Sequence, residues 1–147
     1  MATTHLELSE IPQRVERNLA AFFEARADAI AAIGEPVAHA VSHLHAFVLG
    51  GGKRVRPTYG WAGFAGAGGL ERGEEDPDAV LRAVSALELI QACALVHDDI
   101  IDASDTRRGN PTVHRALEAE HRDRDLLGSA EAYGKNAAIL LGDLALA

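Results

Sequence analysis

Cysteine, aromatic residues and basic residues are all scarce in this chain, and each scarcity narrows what the protein does. The single cysteine, Cys93, excludes an internal disulfide and fits a reducing, cytoplasmic compartment. Aromatic residues make up only 5% of the chain. The Ala- and Leu-rich remainder favours helix over strand. The formal net charge of -8 argues against nucleic acid as a partner, because phosphate backbones require basic surfaces.

Long apolar runs and a secretion signal are also missing. No run approaches the roughly 18 apolar residues that a membrane span requires, so we expect no stable membrane insertion. Residues 1–5 lack the basic and apolar regions of a signal peptide. With 147 residues, 48% of them hydrophobic, the chain fits one domain. The helical pattern of residues 137–147 has no stop signal, and we therefore expect a fragment of a longer domain.

Hydrophobic spacing predicts a succession of helices joined by short connections, and hence an all-α antiparallel helical bundle. The expected helices cover residues 10–33 (with Ser9 as N-cap and Gly34 as stop), 36–49, 57–68, about 79–103, about 112–121, and from about 130 onward. The segment at 79–103 is apolar nearly all round, which predicts burial in the middle of the bundle. Residues 69–78 are expected to form an acidic surface loop, and residues 121–125 a charged connection.

Three carboxylates stand where the longest predicted helix ends, in the pattern D-D-x-x-D. Asp98 and Asp102 are one turn apart, so they share a face about 6 Å apart along the axis. Negative charge near a helix C-terminus is unfavourable, which indicates a bound cation. Carboxylates without histidine or cysteine partners suit Mg²⁺. We therefore predict that Asp98, Asp99 and Asp102 bind Mg²⁺; a solvated helix end is the alternative interpretation.

Basic residues follow and precede these acids in two short motifs. Arg107 and Arg108 lie just beyond the acids, where a short turn could fold both guanidinium groups back toward the same cleft. Lys53 and Arg56 follow a run of three glycines at the entrance of a predicted helix, where backbone N–H groups favour anions. Either motif alone is typical of an ordinary surface loop. Together with the acids, the two motifs imply two phosphorylated substrates.

The chain resembles the N-terminal half of the trans-isoprenyl diphosphate synthases, the polyprenyl synthetase family. The resemblance is carried by G-G-K-R-V-R-P (51–57), L-E-L-I-Q-A-C-A-L-V-H-D-D-I-I-D (87–102), R-R-G-N-P-T-V-H (107–114) and L-L-G-D-L-A-L-A (140–147). It implies an isoprenoid synthase bundle that is incomplete at its C-terminus, with residues 1–147 as the N-terminal part of a single domain. The second aspartate-rich motif of the family does not occur in these residues. The family also implies a homodimer for the full-length protein.

The resemblance implies a Mg²⁺-dependent prenyltransferase of isoprenoid biosynthesis. Such an enzyme condenses isopentenyl diphosphate with an allylic diphosphate, head to tail (1'-4), into an all-trans polyprenyl diphosphate. By this resemblance Asp98, Asp99 and Asp102 hold the Mg²⁺ that clamps the allylic diphosphate. Arg107 is the arginine that contacts the same diphosphate.

The second substrate site is likewise implied by the resemblance. Isopentenyl diphosphate would be bound by Lys53, Arg56, Gln91 and Arg108. Gln91 falls on one helical stripe with Leu95, Asp98 and Asp102, which supports this assignment from the residues themselves.

The expected product length depends on the residues one turn before the acids. In the family, bulky side chains there form the floor of the tail tunnel, but Cys93 and Ala94 are both small. A tail could pass them and stop near Ile90 or Leu87. We therefore favour the C20 product, geranylgeranyl diphosphate, with C15 or a longer product left open. Close helix packing is the alternative explanation for Cys93 and Ala94.

Two other functions are alternatives to the prenyltransferase. A terpene cyclase shares the acids and the bundle but lacks the basic anchor that Lys53 and Arg56 supply. A non-catalytic or regulatory subunit often loses the acids or the anchors, and both are intact here. The 147 residues alone are expected to be inactive without the second acidic motif. The spacing of His39, His43 and His45 is compatible with a metal site, since His39 and His43 are one turn apart, but no fourth group is evident and we do not predict a metal site there.

Overall fold

The computed structural model describes residues 6–147, which form nine α-helices and one short β-hairpin. The helices are α1 (Ile11–Glu24), α2 (Ala27–Ile33), α3 (Glu35–Leu49), α4 (Val55–Gly66), α5 (Gly69–Arg72), α6 (Pro77–Ser85), α7 (Leu87–Ile101), α8 (Val113–Asp123) and α9 (Ala130–Leu146). The hairpin pairs β1 (Thr106–Arg107) with β2 (Asn110–Pro111) between α7 and α8. The predicted all-α fold is confirmed. The prediction about a signal peptide concerns residues 1–5, which lie outside the described residues.

The core forms from the apolar stripes of several helices. In α1 the buried residues Ile11, Val15, Leu19 and Phe23 follow one another at intervals of four, so they line one face. That face packs against α3, α4 and α6. The other core side chains, from α3, α4 and α6 through α9, are Val41, Leu44, Val48, Trp61, Leu81, Ala92, Val96, Val113, Leu117, Ala138, Leu141 and Ala145.

The first predicted helix is two helices, and its predicted cap is wrong. Helix α1 ends at Glu24 and α2 begins at Ala27, although no glycine or proline lies between them. Ser9 lies in a single 3₁₀ turn (Leu8–Glu10), and α1 starts after Glu10 without a side-chain cap. Gly34 does end α2, at φ +139°, a backbone conformation that favours glycine.

The predicted long helix at 79–103 is also divided, at Ala86, and is not buried all round. Its α7 half packs against α3, α4 and α9. The opposite side is open, with Ile90 51% and Ile101 80% exposed. By length and composition alone, the stretch Pro77–Ile101 could cross a membrane. The prediction that no apolar stretch approaches the length of a membrane span is therefore wrong. Core helices of soluble proteins meet the same measure.

Two predicted connections are partly helical. The acidic segment at 69–78 contains the single turn of α5 before its loop begins. Helix α8 continues to Asp123, into the charged stretch predicted as a connection at 121–125. In both places helix formation is local and short, and composition alone did not reveal it.

Two glycines of α9 allow it to lie close against α7 and α8. A Cβ on Gly134 would stand 2.4 Å from the carbonyl oxygen of His114 in α8. A Cβ on Gly142 would stand 2.9 Å from the imidazole of His97 in α7. Because no side chain fits at either point, α9 holds α7 and α8, and with them the acids and the hairpin, at a fixed separation.

Candidate functional site

Asp98 and Asp102 stand together at the C-terminal end of α7. The backbone N–H of Asp102 donates to the Asp98 carbonyl at 2.8 Å, which closes the last helical turn. Ala103 then takes φ +50° and reverses the chain. The Asp98 side chain is 57% exposed, and Asp102 is exposed as well. Two carboxylates on one face therefore project from the helix end with open space beside them.

Asp99 points the other way and is 1% exposed. Both of its oxygens accept from Arg107: Nε lies 2.9 Å from Oδ1 and 2.8 Å from Oδ2, and Nη2 lies 2.7 Å from Oδ1. Arg107 Nη2 is also 3.6 Å from Asp98 Oδ2. The hydrogen bonds to Asp99 and the charges of the three acids raise the pKa of Arg107 despite partial burial. Asp99 therefore fixes the arginine against the exposed carboxylate of Asp98.

The β-hairpin directs its two arginines to different places. Arg108 and Gly109 form the two-residue turn, with φ +53° and +81°, as a type I′ turn requires. Arg107 on β1 reaches back to the acids, as predicted. Arg108 instead donates from Nη1 to the carbonyl oxygen of Gly51 in the glycine-rich loop. Of the two guanidinium groups, that of Arg107 contacts the acids, whereas that of Arg108 contacts the glycine-rich loop.

Arg54 organises the loop before α4, a role that the sequence did not suggest. It is 5% exposed and adopts a left-handed conformation at φ +48°. Its Nη1 donates to Glu88 Oε2 at 2.8 Å, and its Nη2 donates to the Val48 carbonyl at 2.8 Å. The available signal was Glu88, an acid within the apolar sequence of α7. With Arg54 turned inward, Lys53 and Arg56 on either side of it are exposed.

Gln91 lies next to this loop. A small cavity of about 20 Å³ is lined by both Gln91 and Arg108, together with Gly51, Arg54 and residues of α3 and α7. The position of Gly52 is also close to two guanidinium groups: a Cβ there would lie 3.5 Å from Arg108 Nη2 and 3.6 Å from Arg54 Nη1. The structure therefore brings Gln91 and Arg108 to one place beside the glycine-rich loop.

A larger cavity, of about 350 Å³, separates α3 from the hairpin. Its lining includes both Arg107 and Arg108. The opposite wall is formed by Ala46, Phe47 and His43 of α3. This is a concave, mixed polar and apolar space with two cations on one side.

An exposed stripe of small and apolar residues runs from the acids toward the start of α7. Ala94, Ile90 and Ala86 precede Asp98 at intervals of four and are all exposed. Ile90 and Ala86 line an apolar cavity of about 540 Å³ with residues of α1, α2, α3 and α9. Ile90 lies about 12 Å from Asp98 along the helix axis. Leu87, the other predicted floor residue, faces Gly60 of α4 instead.

Cys93 lies on the neighbouring side of α7 and is half-buried. Its Sγ is 3.5 Å from His97 Nδ1, and His97 Nε2 is 3.5 Å from Asp143 Oδ1 of α9. Cys93 therefore takes part in the packing between α7 and α9, whereas Ala94 faces the open stripe. The two predicted chain-length residues have different surroundings.

Comparison with known proteins identifies the family. Residues 37–147 match the polyprenyl synthetase family, so the chain belongs to that family. It is 38% identical over 106 residues to the short chain isoprenyl diphosphate synthase of Methanocaldococcus jannaschii, covering 72% of this chain and 25% of that protein. It is 35% identical over 102 residues to the chloroplastic geranylgeranyl pyrophosphate synthase 9 of Arabidopsis thaliana, covering 68% of this chain and 22% of that protein.

A solved structure shares the fold. The chain superposes with a TM-score of 0.92 and 54% identity on the geranylgeranyl pyrophosphate synthase of Corynebacterium glutamicum, complexed with isoprenyl diphosphate and magnesium. The match covers 96% of this chain and 40% of that one. The all-α isoprenoid synthase fold is therefore confirmed. The chain spans about a quarter of the length of the curated relatives that it matches.

Proposed function

We propose that this protein is a Mg²⁺-dependent prenyltransferase that condenses isopentenyl diphosphate with an allylic diphosphate, head to tail, into an all-trans polyprenyl diphosphate. The observation that carries the proposal is the pair of exposed carboxylates, Asp98 and Asp102, beside an arginine already fixed by Asp99. The relatives named above are synthases of this class.

The donor set at the end of α7 fits Mg²⁺. Asp98 and Asp102 are hard oxygen donors, one turn apart and open to solvent, as suits an ion that keeps water and substrate oxygens in its octahedron. Asp99 was predicted as a third ligand; its bonds to Arg107 favour a positioning role instead. When bound, the metal neutralises diphosphate charge and assists departure of the diphosphate.

Arg107 acts on the same leaving group. Its guanidinium is held by Asp99 on one edge and lies near Asp98, so it is oriented before substrate arrives. A fixed positive charge stabilises negative charge that develops as the allylic C–O bond breaks. The double bond of isopentenyl diphosphate then attacks the allylic cation and forms the new C–C bond. The adduct loses a proton to the released pyrophosphate.

The second substrate would be held beside the glycine-rich loop. Arg108 and Gln91 share one small cavity there, and Lys53 and Arg56 are exposed on the adjoining loop and helix. These four side chains offer three cations and an amide to one diphosphate. Arg54 is paired with Glu88, so it supports the loop and does not bind substrate.

We infer a C20 product, with C15 as the nearest alternative. The inference is supported by the open stripe from Asp98 past Ala94 to the apolar cavity at Ile90. Phenylalanine at position 93 or 94 should shorten the product, with Leu127→Phe, in an exposed loop, as the matched control. Unchanged product length in both Cys93→Phe and Ala94→Phe would contradict the assignment of the floor.

We also propose that residues 1–147 are the N-terminal part of a single polyprenyl synthetase domain, cytoplasmic and homodimeric when complete. The chain covers 25% of the Methanocaldococcus jannaschii synthase and 40% of the Corynebacterium glutamicum structure, which supports the proposal that it is part of a longer domain. The intact acids and basic anchors disfavour a non-catalytic subunit, and Lys53 and Arg56 disfavour a terpene cyclase.

Activity of the complete domain tests the proposal. The domain is incubated with isopentenyl diphosphate, Mg²⁺ and allylic primers of increasing length, and the products are separated by chain length. Asp98→Asn and Asp102→Asn should each lower kcat by about 10²–10³-fold, as for loss of one group that stabilises developing charge. Asp123→Asn, an exposed acid at the end of α8, is the control. Full activity in Asp98→Asn would refute the assigned site.

A further inference from the structure

Two histidines and one glutamate form a cluster between α3 and α8 that shares no residue with the acids of α7. His39 and His43 lie one turn apart on α3, with ring centroids 5.3 Å apart. Glu120 of α8 reaches both: its Oε2 is 2.6 Å from His39 Nε2 and 3.0 Å from His43 Nε2. One donor atom from each residue lies within 4.8 Å of the others.

We propose that this cluster binds one Zn²⁺ and thereby fastens α8 to α3. Two imidazole nitrogens and one carboxylate oxygen form a donor set that zinc accepts, with water in the fourth position. Tetrahedral ligands at about 2.0–2.1 Å stand about 3.3 Å from one another. Glu120 Oε2 therefore needs to withdraw from the two rings by less than about 1 Å to admit the ion.

The surroundings of Glu120 hold its carboxylate ready as a ligand. Its second oxygen, Oε1, accepts from Arg124 Nη1 at 3.1 Å, the kind of outer contact that orients ligating carboxylates. Arg124 Nη2 in turn lies 3.6 Å from Glu35 Oε1, which offsets the positive charge that Arg124 places near the site. Burial raises the pKa of Glu120, but the bonds from His43, His39 and Arg124 outweigh it and lower that pKa.

The exposure of the cluster suits an accessible site. His39 is 43% exposed, His43 23% and Glu120 18%, so an ion and a water can enter from solvent. His43 also lines the 350 Å³ cavity on the wall opposite Arg107 and Arg108. Helix α8 directly follows the hairpin that carries those arginines. Zinc would therefore stiffen the link between the two walls of that cavity.

Metal titration of the purified, metal-free protein tests the proposal. Zn²⁺ and the spectroscopic probe Co²⁺ are added in the presence of excess Mg²⁺, which occupies the oxygen donors of α7. One Zn²⁺ per chain is expected, and Co²⁺ should give the visible absorption of a tetrahedral ion. His39→Ala, His43→Ala and Glu120→Gln should each weaken binding by at least about tenfold, and Arg124→Ala by about tenfold through the outer contact.

Two controls separate this site from others. His45→Ala removes a histidine of the same helix whose ring lies 5.0 Å from that of Phe23, and it should leave zinc binding unchanged. Asp98→Asn should also leave zinc binding unchanged, and this result does not depend on the proposed enzymatic function. Loss of zinc binding in Asp98→Asn with no effect of Glu120→Gln would overturn the proposal.

Imidazole NMR signals of the unmodified protein provide a second measurement where a variant fails to fold. Zinc should shift the ring signals of two histidines together, at one equivalent. Absence of any zinc-dependent shift would identify a hydrogen-bonded triad without metal and overturn the proposal.

Discussion

Removing Glu88 while keeping Arg54 should destabilise the protein more than any surface change. The two side chains are 5% and 9% exposed and 2.8 Å apart. Among residues 6–147, Glu88→Leu therefore leaves the buried guanidinium with the Val48 carbonyl as its one remaining acceptor. Breaking a buried pair from one side costs about 3–5 kcal/mol. A domain of this size is stable by about 5–15 kcal/mol in total, so the loss is a large fraction.

Urea unfolding followed by circular dichroism measures this loss. With a slope of about 2 kcal/mol per molar urea, 3–5 kcal/mol lowers the midpoint by roughly 2 M. The double variant Arg54→Met with Glu88→Leu should recover much of the loss, because an apolar pair leaves no buried charge. Lys53→Ala, next in sequence but exposed, should change stability by less than about 0.5 kcal/mol. A Glu88→Leu midpoint equal to that of Lys53→Ala would show that the pair does not hold the loop.

Three further outcomes are expected. Gly134→Ala should cost about 1–3 kcal/mol in urea unfolding because its Cβ meets the α8 backbone, whereas Gly63→Ala, with open space around it, should be neutral or stabilising. Burial lowers the pKa of His114 in the folded protein. Below about pH 6.5, His114 is therefore protonated in the unfolded chain before it is protonated in the folded one. Stability should fall as the pH drops from 7 to 5, and less so in His114→Gln. Asp99→Asn should raise KM for the allylic diphosphate more than for isopentenyl diphosphate, because Arg107 loses its anchor; equal changes would contradict that role.

The parts of the fold that were predictable from sequence are those set by local chemistry. Gly34 ends a helix because glycine has the backbone freedom that this position requires. Helix α9 begins at Ala130 because the Ser129 side chain caps it by accepting from the Ala132 N–H. The break after Glu24 was not predictable, because it has no glycine or proline and depends on how α2 packs against α3. The open side of α7 was missed because an all-round apolar pattern does not tell which neighbours are present.

The candidate site shows the same division. Helical spacing already places Asp99 on a different face from Asp98 and Asp102. Its pairing with Arg107 was not predictable, because it depends on the hairpin that turns the chain back toward α7. Arg54 could not be distinguished from Lys53 and Arg56 by sequence, since the difference is a left-handed backbone that turns one of them inward. Pairing of the histidines of α3 with Glu120 spans 77 and 81 residues and emerges only in three dimensions.

The type I′ hairpin between α7 and α8 sets how freely this segment can change length. Its turn holds Arg108, and the residue before it, Arg107, faces the opposite way, toward Asp99. Deleting or adding one residue would shift the strand register and exchange the directions of the two guanidinium groups. Both anchors would fail together, although every basic residue remained. Glu74 and Glu75, between the ends of α5 and α6, are exposed and belong to no strand pair, so insertions should be tolerated there and excluded here.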